Sequence, residues 1–425
     1  MKRSDLIIKM FMLLIVSIVI GTVLMLGVYS IPNRTIKAHL EESTSLFTQD
    51  ENKVENWIGS LRYGIIDNST DSTMLNISLC REYDSVIDNA LLNPRYEVDK
   101  DLAEKLGSSD LTLFLNNQNG KTINYPRYWH GYLLYLIPGL LITNVGGLKE
   151  ILMCVEFLLA MLLLYKLSKI DPIYMLAYGV TLLFINPVTV ALNFQNADIY
   201  LLTIIFSLVI LFFNDWLKKN NRYYLLFVLF GILTVYIDFL TYPLVTLGVS
   251  LITLCIVNDF DFKESIKDTV ICSLCWAFGY IGMWFGKWAV ASILTNTNVI
   301  EDAINSVLLR SSNVDNTGNS VSFFETLSIF KESIHDTPVV ILGFISLVII
   351  FIYMFVNKYK LVVNKETLLN LLPYLLIFTI PYMWVFVVRN HFATHQFLEY
   401  RTMAISVLAK LVIIIRLFKK NHEQN

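Results

Sequence analysis

Charged residues are scarce in this sequence. They make up 16% of its 425 residues, whereas hydrophobic residues make up 55% and the mean hydropathy is +0.56. A soluble chain of this length would carry about 25% charged residues. The composition therefore excludes an ordinary soluble domain and predicts an all-α polytopic membrane protein. The net charge of −2 gives no indication of nucleic-acid binding, and no nucleic-acid partner is expected.

Metal-type cysteine spacing and internal repeats are also lacking. The five cysteines lie mostly inside apolar segments, and the CxxC of Cys272 and Cys275 falls in a predicted helix, where packing explains it. Many transporters are built from internal repeats. Because no repeat or low-complexity tract is visible here, the sequence favours a protein that works at one face of the membrane.

Ten apolar segments predict transmembrane helices, because about 20 apolar residues are needed to cross about 30 Å of hydrocarbon. The predicted spans are Leu6–Tyr29, Ile151–Leu167, Pro172–Leu192, Ile199–Leu217, Tyr223–Leu240, Leu244–Val257, Thr269–Phe285, Pro338–Val356, Thr367–Val388 and Thr402–Phe418. Residues 1–30 thus hold a first helix, 31–150 a long polar loop and 151–425 a transmembrane bundle. Basic residues ahead of the first span, with no clean cleavage site after it, indicate a retained anchor.

The distribution of Lys and Arg predicts the orientation. The short connections Asn193–Asp198 and Phe239–Pro243 carry neither residue, whereas the alternate connections are basic. Because cytoplasmic loops carry the excess of positive charge, both termini are expected in the cytoplasm and the chain in the cytoplasmic membrane. The loops 31–150, 287–337 and 389–401 are then extracytoplasmic.

One apolar run does not fit as a span. Tyr128–Thr143 is short and is broken by Pro138, and a span here would invert every later loop. It predicts an interfacial or re-entrant helix with amphipathic character at the outer leaflet. The aromatic motif YPRYWHGY at its start adds Arg127 and His130 as candidate substrate-binding residues, although burial at the interface explains them almost as well.

The first candidate for chemistry is a pair of carboxylates in the long outer loop. The segment GIIDNSTDSTMLN places Asp67 and Asp71 four residues apart. Either carboxylate is able to act as a general base toward an attacking hydroxyl. The alternative is structural, with Asp71 as the N-cap of a helix that begins at Ser72 and Asp67 as a turn residue.

The second candidate is the segment RNHFATHQFLEYR. It gathers Arg389, His391, His395, Glu399 and Arg401 at the outer surface. The two histidines and the glutamate are spaced four apart and are expected on one helical face, where zinc binding is one alternative. Arginine holds phosphate bidentately, so the flanking arginines favour a lipid phosphate. The other alternative is a membrane anchor with snorkelling arginines.

A third set of ionisable residues lies within or at the ends of spans. Asp198, Asp238, Lys287 and Lys410 belong to it. Charges at membrane depth cost several kcal/mol unless they are paired or solvated, so they mark cavities or pathways. Lys410 is expected to face the bundle, where it reaches a phosphate or pairs with Glu156 or Asp238.

This layout resembles the GT-C superfamily of integral membrane glycosyltransferases. The resemblance covers the first helix, the acidic loop 31–150, the surface helix Tyr128–Thr143 and the returning helix Ile151–Leu167. GT-C enzymes carry a modified DxD, DE or ED motif in the first loop. Here the candidate is the looser pair Asp67 and Asp71, which leaves the identity of the base and any divalent cation, such as Mg²⁺ or Mn²⁺, open.

The resemblance implies transfer of a sugar from a polyprenyl-phosphate donor to a cell-surface polysaccharide, wall polymer or glycolipid. Asp67 or Asp71 would deprotonate the acceptor in a single displacement, and Arg389, Arg401 and Lys410 would stabilise the leaving lipid phosphate. Further candidates for substrate binding are His391, His395, Glu399, Asp238, Asp198, Arg127 and His130. The richness in Ile, Asn and Lys favours a bacterial source.

Three other functions remain open at this point. Polysaccharide polymerases and ligases also carry outer-loop arginines and histidines, but their large loop usually falls late in the chain. A transporter or flippase for lipid-linked oligosaccharides would place polar residues at mid-membrane. A non-catalytic scaffold would not need intramembrane charges such as Asp238 and Lys410.

Overall fold

The chain folds as a predominantly helical membrane protein with a few short two-stranded sheets. The computed structural model describes residues 3–46, 55–56, 64–98, 110–258, 261–314, 318–328 and 338–420. The helices are α1 (Arg3–Tyr29), α2 (Arg34–Glu42), α3 (Asn68–Leu79), α4 (Val86–Leu92), α5 (Asp110–Leu115), α6 (Leu133–Ile142), α7 (Val145–Ser168), α8 (Pro172–Ile185), α9 (Pro187–Leu192), α10 (Phe194–Lys218), α11 (Tyr223–Ile237), α12 (Leu244–Asn258), α13 (Phe262–Thr295), α14 (Val299–Arg310), α15 (Pro338–Val356), α16 (Lys365–Asn370), α17 (Leu372–Phe378), α18 (Ile380–Val387), α19 (Arg389–Thr394), α20 (Gln396–Glu399) and α21 (Ala404–Arg416). Short 3₁₀ turns lie at Thr44–Leu46, Lys219–Asn221 and Tyr400–Met403.

Within the described ranges of the chain, three antiparallel two-stranded sheets supplement the helices. Their strands are β1 (Glu55–Asn56), β2 (Ile65–Ile66), β3 (Pro94–Glu97), β4 (Lys121–Asn124), β5 (Tyr359–Leu361) and β6 (Phe418–Lys420), paired in consecutive order. In the second sheet Pro94 pairs with Asn124 and Glu97 with Lys121. This sheet positions Arg95 near the site described below.

Among the residues that the structure describes, five helices are long and apolar enough to cross a membrane. They are Ser4–Tyr29, Val145–Ser168, Phe194–Asn221, Phe262–Thr295 and Lys365–Val387. Five shorter apolar helices of 10–17 residues accompany them, namely Leu133–Ile142, Pro172–Ile185, Tyr223–Ile237, Leu244–Asn258 and Gly343–Val356. The membrane class is confirmed, and five of the ten predicted spans coincide with the long helices. The count of ten remains a prediction.

The apolar run Tyr128–Thr143 forms a helix that is packed into the protein. Helix α6 begins after Tyr132 and buries Leu133, Leu136, Ile137 and Leu140. It contacts α1 and α2, and Nδ1 of His39 on α2 lies 2.7 Å from the carbonyl oxygen of Leu140. The segment therefore joins the outer loop to the first helix.

Helices α11 and α13 make the closest helix–helix contact in the bundle. A Cβ atom on Gly231 would lie 2.0 Å from the carbonyl oxygen of Trp276, and one on Gly279 would lie 2.1 Å from that of Val228. Small residues at such crossings let two backbones approach where lipid supplies no hydrophobic force between helices. The crossing holds α13, which forms one wall of the candidate site, in a fixed position.

Candidate functional site

Two adjoining cavities lie where the first outer loop meets the bundle. The smaller cavity has a volume of about 220 Å³ and is polar; it is lined by Thr70, Thr73, Arg95, Tyr125, Arg127, Tyr128, Gln195, Phe239, Leu240, Thr241, Arg310, His391, His395 and Leu398. The larger cavity has a volume of about 640 Å³ and is mostly apolar. The two cavities share four lining residues, namely Arg127, Tyr128, Leu240 and Arg310. The polar cavity therefore lies at the end of the larger one, which is called the apolar groove below.

Three arginines give the polar cavity its charge. Arg127 pairs with Asp302, with Nη1 2.9 Å from each carboxylate oxygen. Arg95 lies 3.3 Å from Glu97 and places its guanidinium 5.5 Å from the ring of Tyr125. Arginine presents a planar set of donors that suits phosphate. Since each of these arginines retains donors beyond the contacts described here, the cavity is suited to an anion.

Arg310 and His395 form a direct contact in this cavity. Nη1 of Arg310 lies 3.1 Å from Nε2 of His395. Arginine only donates, so Nε2 must accept and the imidazole is neutral with its proton on Nδ1. Burial, together with the positive charge of Arg310, lowers the pKa of His395 to about 4. His395 therefore serves as an acceptor that orients Arg310.

His391 and Glu399 form a buried pair beside the cavity. Nε2 of His391 lies 3.3 Å from Oε1 of Glu399 and 3.0 Å from the carbonyl oxygen of Leu240. Burial raises the pKa of Glu399 to about 8 and lowers the pKa of His391 well below its ordinary value. Both groups are thus mainly neutral near pH 7, and the pair ties the last outer loop to the loop after α11.

His391, His395 and Glu399 lie together as expected, with the two imidazole rings 4.7 Å apart, but the helix that carries them is interrupted. Helix α19 ends at Thr394 and α20 begins at Gln396, because His395 has non-helical φ −115° and ψ 41°. His395 consequently turns to Arg310 while His391 turns to Glu399. Among the described residues no group of three or more His, Cys, Asp or Glu side chains is arranged to hold a metal ion.

Asp67 is the N-cap of α3, where the sequence indicated Asp71. Its Oδ1 accepts a hydrogen bond from the backbone N–H of Thr70 at 3.1 Å, and its Oδ2 accepts from the Thr70 hydroxyl at 2.6 Å. Gln195, at the start of α10, also donates to Oδ2 at 2.8 Å. Since Thr70 and Gln195 line the polar cavity, the Asp67 carboxylate stands directly behind that wall and is 9% exposed.

Asp71 is completely buried in an ion pair. Its Oδ2 lies 2.9 Å from Nζ of Lys149 on α7, and its Oδ1 accepts from the backbone N–H of Phe194 at 3.0 Å. Burial raises the pKa of Asp71, and the charge of Lys149 opposes that rise. Asp71 thus joins α3, α7 and α10, and it does not line the polar cavity.

Asp238 shapes the loop that forms the floor between the cavities. Its Oδ1 accepts from the Thr241 backbone N–H at 3.0 Å and from the Thr241 hydroxyl at 2.7 Å. The loop carries Leu240 at φ 62°, an uncommon conformation for a bulky residue. Asp238 therefore supports Leu240 and Thr241, which contact the cavity.

The apolar groove follows α13 along the membrane. Its lining runs on α13 from Thr269 to Trp288, a length of about 28 Å at the helical rise of 1.5 Å per residue. At its upper end the indole N–H groups of Trp284 and Trp288 each donate to the carbonyl oxygen of Arg127 at 2.9 Å. The groove therefore approaches the thickness of the hydrocarbon core and ends at a cavity arginine.

Several predicted phosphate ligands lie away from these cavities. Arg401 is fully buried and donates to the carbonyl oxygens of Ile185 and Phe397 at 2.9 and 2.7 Å. Arg389 is half-buried, 5.5 Å from the Phe386 ring. Neither lines a cavity of the site, although His391, His395 and Leu398 of the same loop line the polar cavity.

Lys410, Asp198 and His130 also lie elsewhere. Lys410 is exposed on α21, so the expectation that it faces the bundle is wrong. Asp198 is buried and accepts from the Tyr135 hydroxyl at 2.9 Å. His130 is buried 2.9 Å from the Tyr125 carbonyl oxygen, and burial lowers its pKa to about 3, so it acts as a neutral structural residue.

Sequence reasoning missed four residues of the site. Arg95, Lys149 and Arg310 lie in parts of the predicted loops that carry no recognisable motif. Gln195 offered a better signal, since the run NFQNAD concentrates amides beside a predicted span. Amides at the end of a transmembrane helix are expected to meet polar partners.

No protein-family model, no curated protein and no solved structure matches this chain. The chemistry of the two cavities is therefore the basis for a proposed function.

Proposed function

We propose that this protein is a membrane glycosyltransferase that moves a sugar from a polyprenyl-phosphate donor to a saccharide acceptor. One observation carries the proposal: a polar cavity with three arginines opens at the end of a long apolar groove. A lipid-linked phosphate has the same division, with an anionic group at the end of a hydrocarbon chain. The distribution of Lys and Arg supports an extracytoplasmic position for the polar cavity.

The arginines supply the electrostatic part of the reaction. Arg127 and Arg310 line both cavities, so a phosphate at their junction meets two guanidinium groups, with Arg95 further inside. Charge develops on the phosphate oxygen as the bond to the sugar breaks. Fixed positive groups aimed at that charge usually make the largest contribution to catalysis. In this proposal they replace Arg389, Arg401 and Lys410 as ligands of the lipid phosphate.

Asp67 is the proposed base. The acceptor hydroxyl attacks the anomeric carbon, the bond from that carbon to the phosphate oxygen breaks, and its electron pair stays on the phosphate. The hydroxyl proton passes to Asp67. Gln195 and Thr70 hold Oδ2 of Asp67 and so orient the carboxylate toward the cavity wall. Asp71 is left to a structural role, because Lys149 neutralises it.

The test compares lipid-linked sugars and surface glycans, by mass spectrometry, in cells with and without the gene. Loss of one sugar from a surface glycan, with accumulation of its monosaccharide–lipid donor, is expected. Accumulation of a complete lipid-linked oligosaccharide would instead support a polymerase, ligase or flippase. An unchanged composition of both pools would overturn the enzyme proposal.

Complementation with matched variants assigns the base. Asp67→Asn is expected to abolish product formation, because asparagine preserves the N-cap but accepts no proton. Glu41→Gln is the control, since Glu41 is an exposed carboxylate paired with Lys37 at 3.8 Å on α2. Full activity of the Asp67 variant at a normal expression level would remove Asp67 from the mechanism.

A further inference from the structure

A buried carboxyl group lines a third cavity, away from the candidate site. This cavity has a volume of about 490 Å³, lies among α7, α8, α9 and α10, and shares no lining residue with the other two. Glu156 lines it and is only 3% exposed. Within the described part of the chain, Oε1 of Glu156 has no hydrogen-bond partner. The walls are otherwise apolar apart from Tyr200.

The cavity lies on the lipid-facing surface of the bundle. Its rim includes Met153, Phe157 and Met161, which are 47%, 65% and 51% exposed. A carboxyl group buried at membrane depth costs several kcal/mol unless it finds a partner, and its partners are typically opposite charges on other helices. We therefore expect a basic group from another molecule to enter this cavity and to pair with Glu156.

The same chain carries a basic residue in the complementary situation. Lys410 is exposed on α21, whose flanking residues Ala409 and Leu411 are buried. On α7, Glu156 lies ten residues before the basic residue Lys166, which places it about 15 Å from that end of the helix. On α21, Lys410 lies six residues before Arg416, about 9 Å from the corresponding end. Side chains lean toward the helix N-terminus, so the Lys410 side chain extends upward across the difference.

We propose that two copies of this protein associate in the membrane through Glu156 of one copy and Lys410 of the other. The apolar stem of the lysine lies along the cavity walls and its ammonium group reaches the carboxylate, as amphipathic side chains do at apolar surfaces. The pairing removes the exposed ammonium group of Lys410 from lipid and gives the buried carboxyl group of Glu156 a partner. This inference is independent of the proposed enzymatic function.

Charge exchange tests the contact. The oligomeric state of the full chain is measured in vesicles by single-molecule photobleaching of a C-terminal fluorophore, at several protein-to-lipid ratios. Glu156→Lys and Lys410→Glu are each expected to weaken dimerisation by about tenfold or more, and the double variant to restore it. Arg389→Glu is the matched control, as a half-buried charge on an outer loop. A monomeric wild-type protein, or single variants that dimerise normally, would overturn the proposal, as would a double variant that remains monomeric.

A second measurement avoids charge changes that impair folding. Ala160→Cys in one tagged copy is mixed with Lys410→Cys in another, and a mixed disulfide is sought under oxidising conditions. Ala160 lines the same cavity one helical turn from Glu156, whereas the native Cys154 is exposed outside it and reports random collision. A mixed disulfide well above the Cys154 background is expected. Cross-linking no greater than that background contradicts the proposed interface.

Discussion

Replacement of Arg310 by glutamine gives the sharpest test of which arginines bind the lipid phosphate. Arg310 lines both cavities and is oriented by His395 at 3.1 Å. A hydrogen bond to a charged group contributes about 1.5–3 kcal/mol, so Arg310→Gln is expected to weaken donor binding by about 10- to 150-fold. Arg389→Gln is the matched control, because Arg389 is half-buried but lines neither cavity.

The assay measures initial rates in vesicles with a varied concentration of polyprenyl-phosphate sugar. Contact with the ground-state phosphate appears as a raised KM, and contact with the developing charge appears as a lowered kcat. His395→Gln retains an acceptor and should have a smaller effect than Arg310→Gln. The reasoning would be refuted if Arg389→Gln reduced kcat/KM more than Arg310→Gln at equal thermal stability.

Three further outcomes follow from the site. Asp67→Asn should remove activity with little loss of stability. Asp71→Asn should lower thermal stability, because the partly buried ammonium group of Lys149 loses its carboxylate partner; equal thermal shifts of the two variants would contradict this difference. Asp302→Asn should lower the donor KM by up to about fivefold, because it frees Arg127 from an ion pair that, being partly exposed, contributes at most about 1 kcal/mol. A raised KM would show instead that Asp302 helps to bind the donor. The carboxyl group of Glu399 has a pKa of about 8 in the folded protein and of about 4.5 in the unfolded chain. The free energy of unfolding therefore falls as the pH rises between these two values. His391 acts oppositely below about pH 6.5, so the decline caused by Glu399 should appear between about pH 6.5 and 8. It should become smaller in Glu399→Gln, and a decline of unchanged size in thermal-shift measurements would rule out Glu399 as a contributor.

The sequence located much of the helical framework, because hydropathy is a local property. A transmembrane helix satisfies its own backbone hydrogen bonds, so an apolar run of sufficient length predicts its own structure. The spans that begin at Leu6 and Ile151 fall within the helices Arg3–Tyr29 and Val145–Ser168. Polar residues in loops carry no comparable periodic signal, and there the sequence predicted candidates without their contacts.

The two aspartates illustrate this limit. Asp67 and Asp71 are both of a residue type that caps helix N-termini. Which of them is the N-cap depends on whether α3 begins at Asn68 or at Ser72, and the structure shows that it begins at Asn68. Lys149 decided the role of Asp71, and it lies 78 residues away in the chain. No local pattern contains that information.

By itself the sequence determined the membrane class, the position of the long apolar helices and the loops that carry polar residues. Only the tertiary structure decided which arginines share a cavity. Arg95, Arg127 and Arg310 come from three separate segments, whereas Arg389 and Arg401 share one loop and lie apart from that cavity. The physical reason is that side-chain direction depends on how helices pack, and packing joins residues that are distant in sequence.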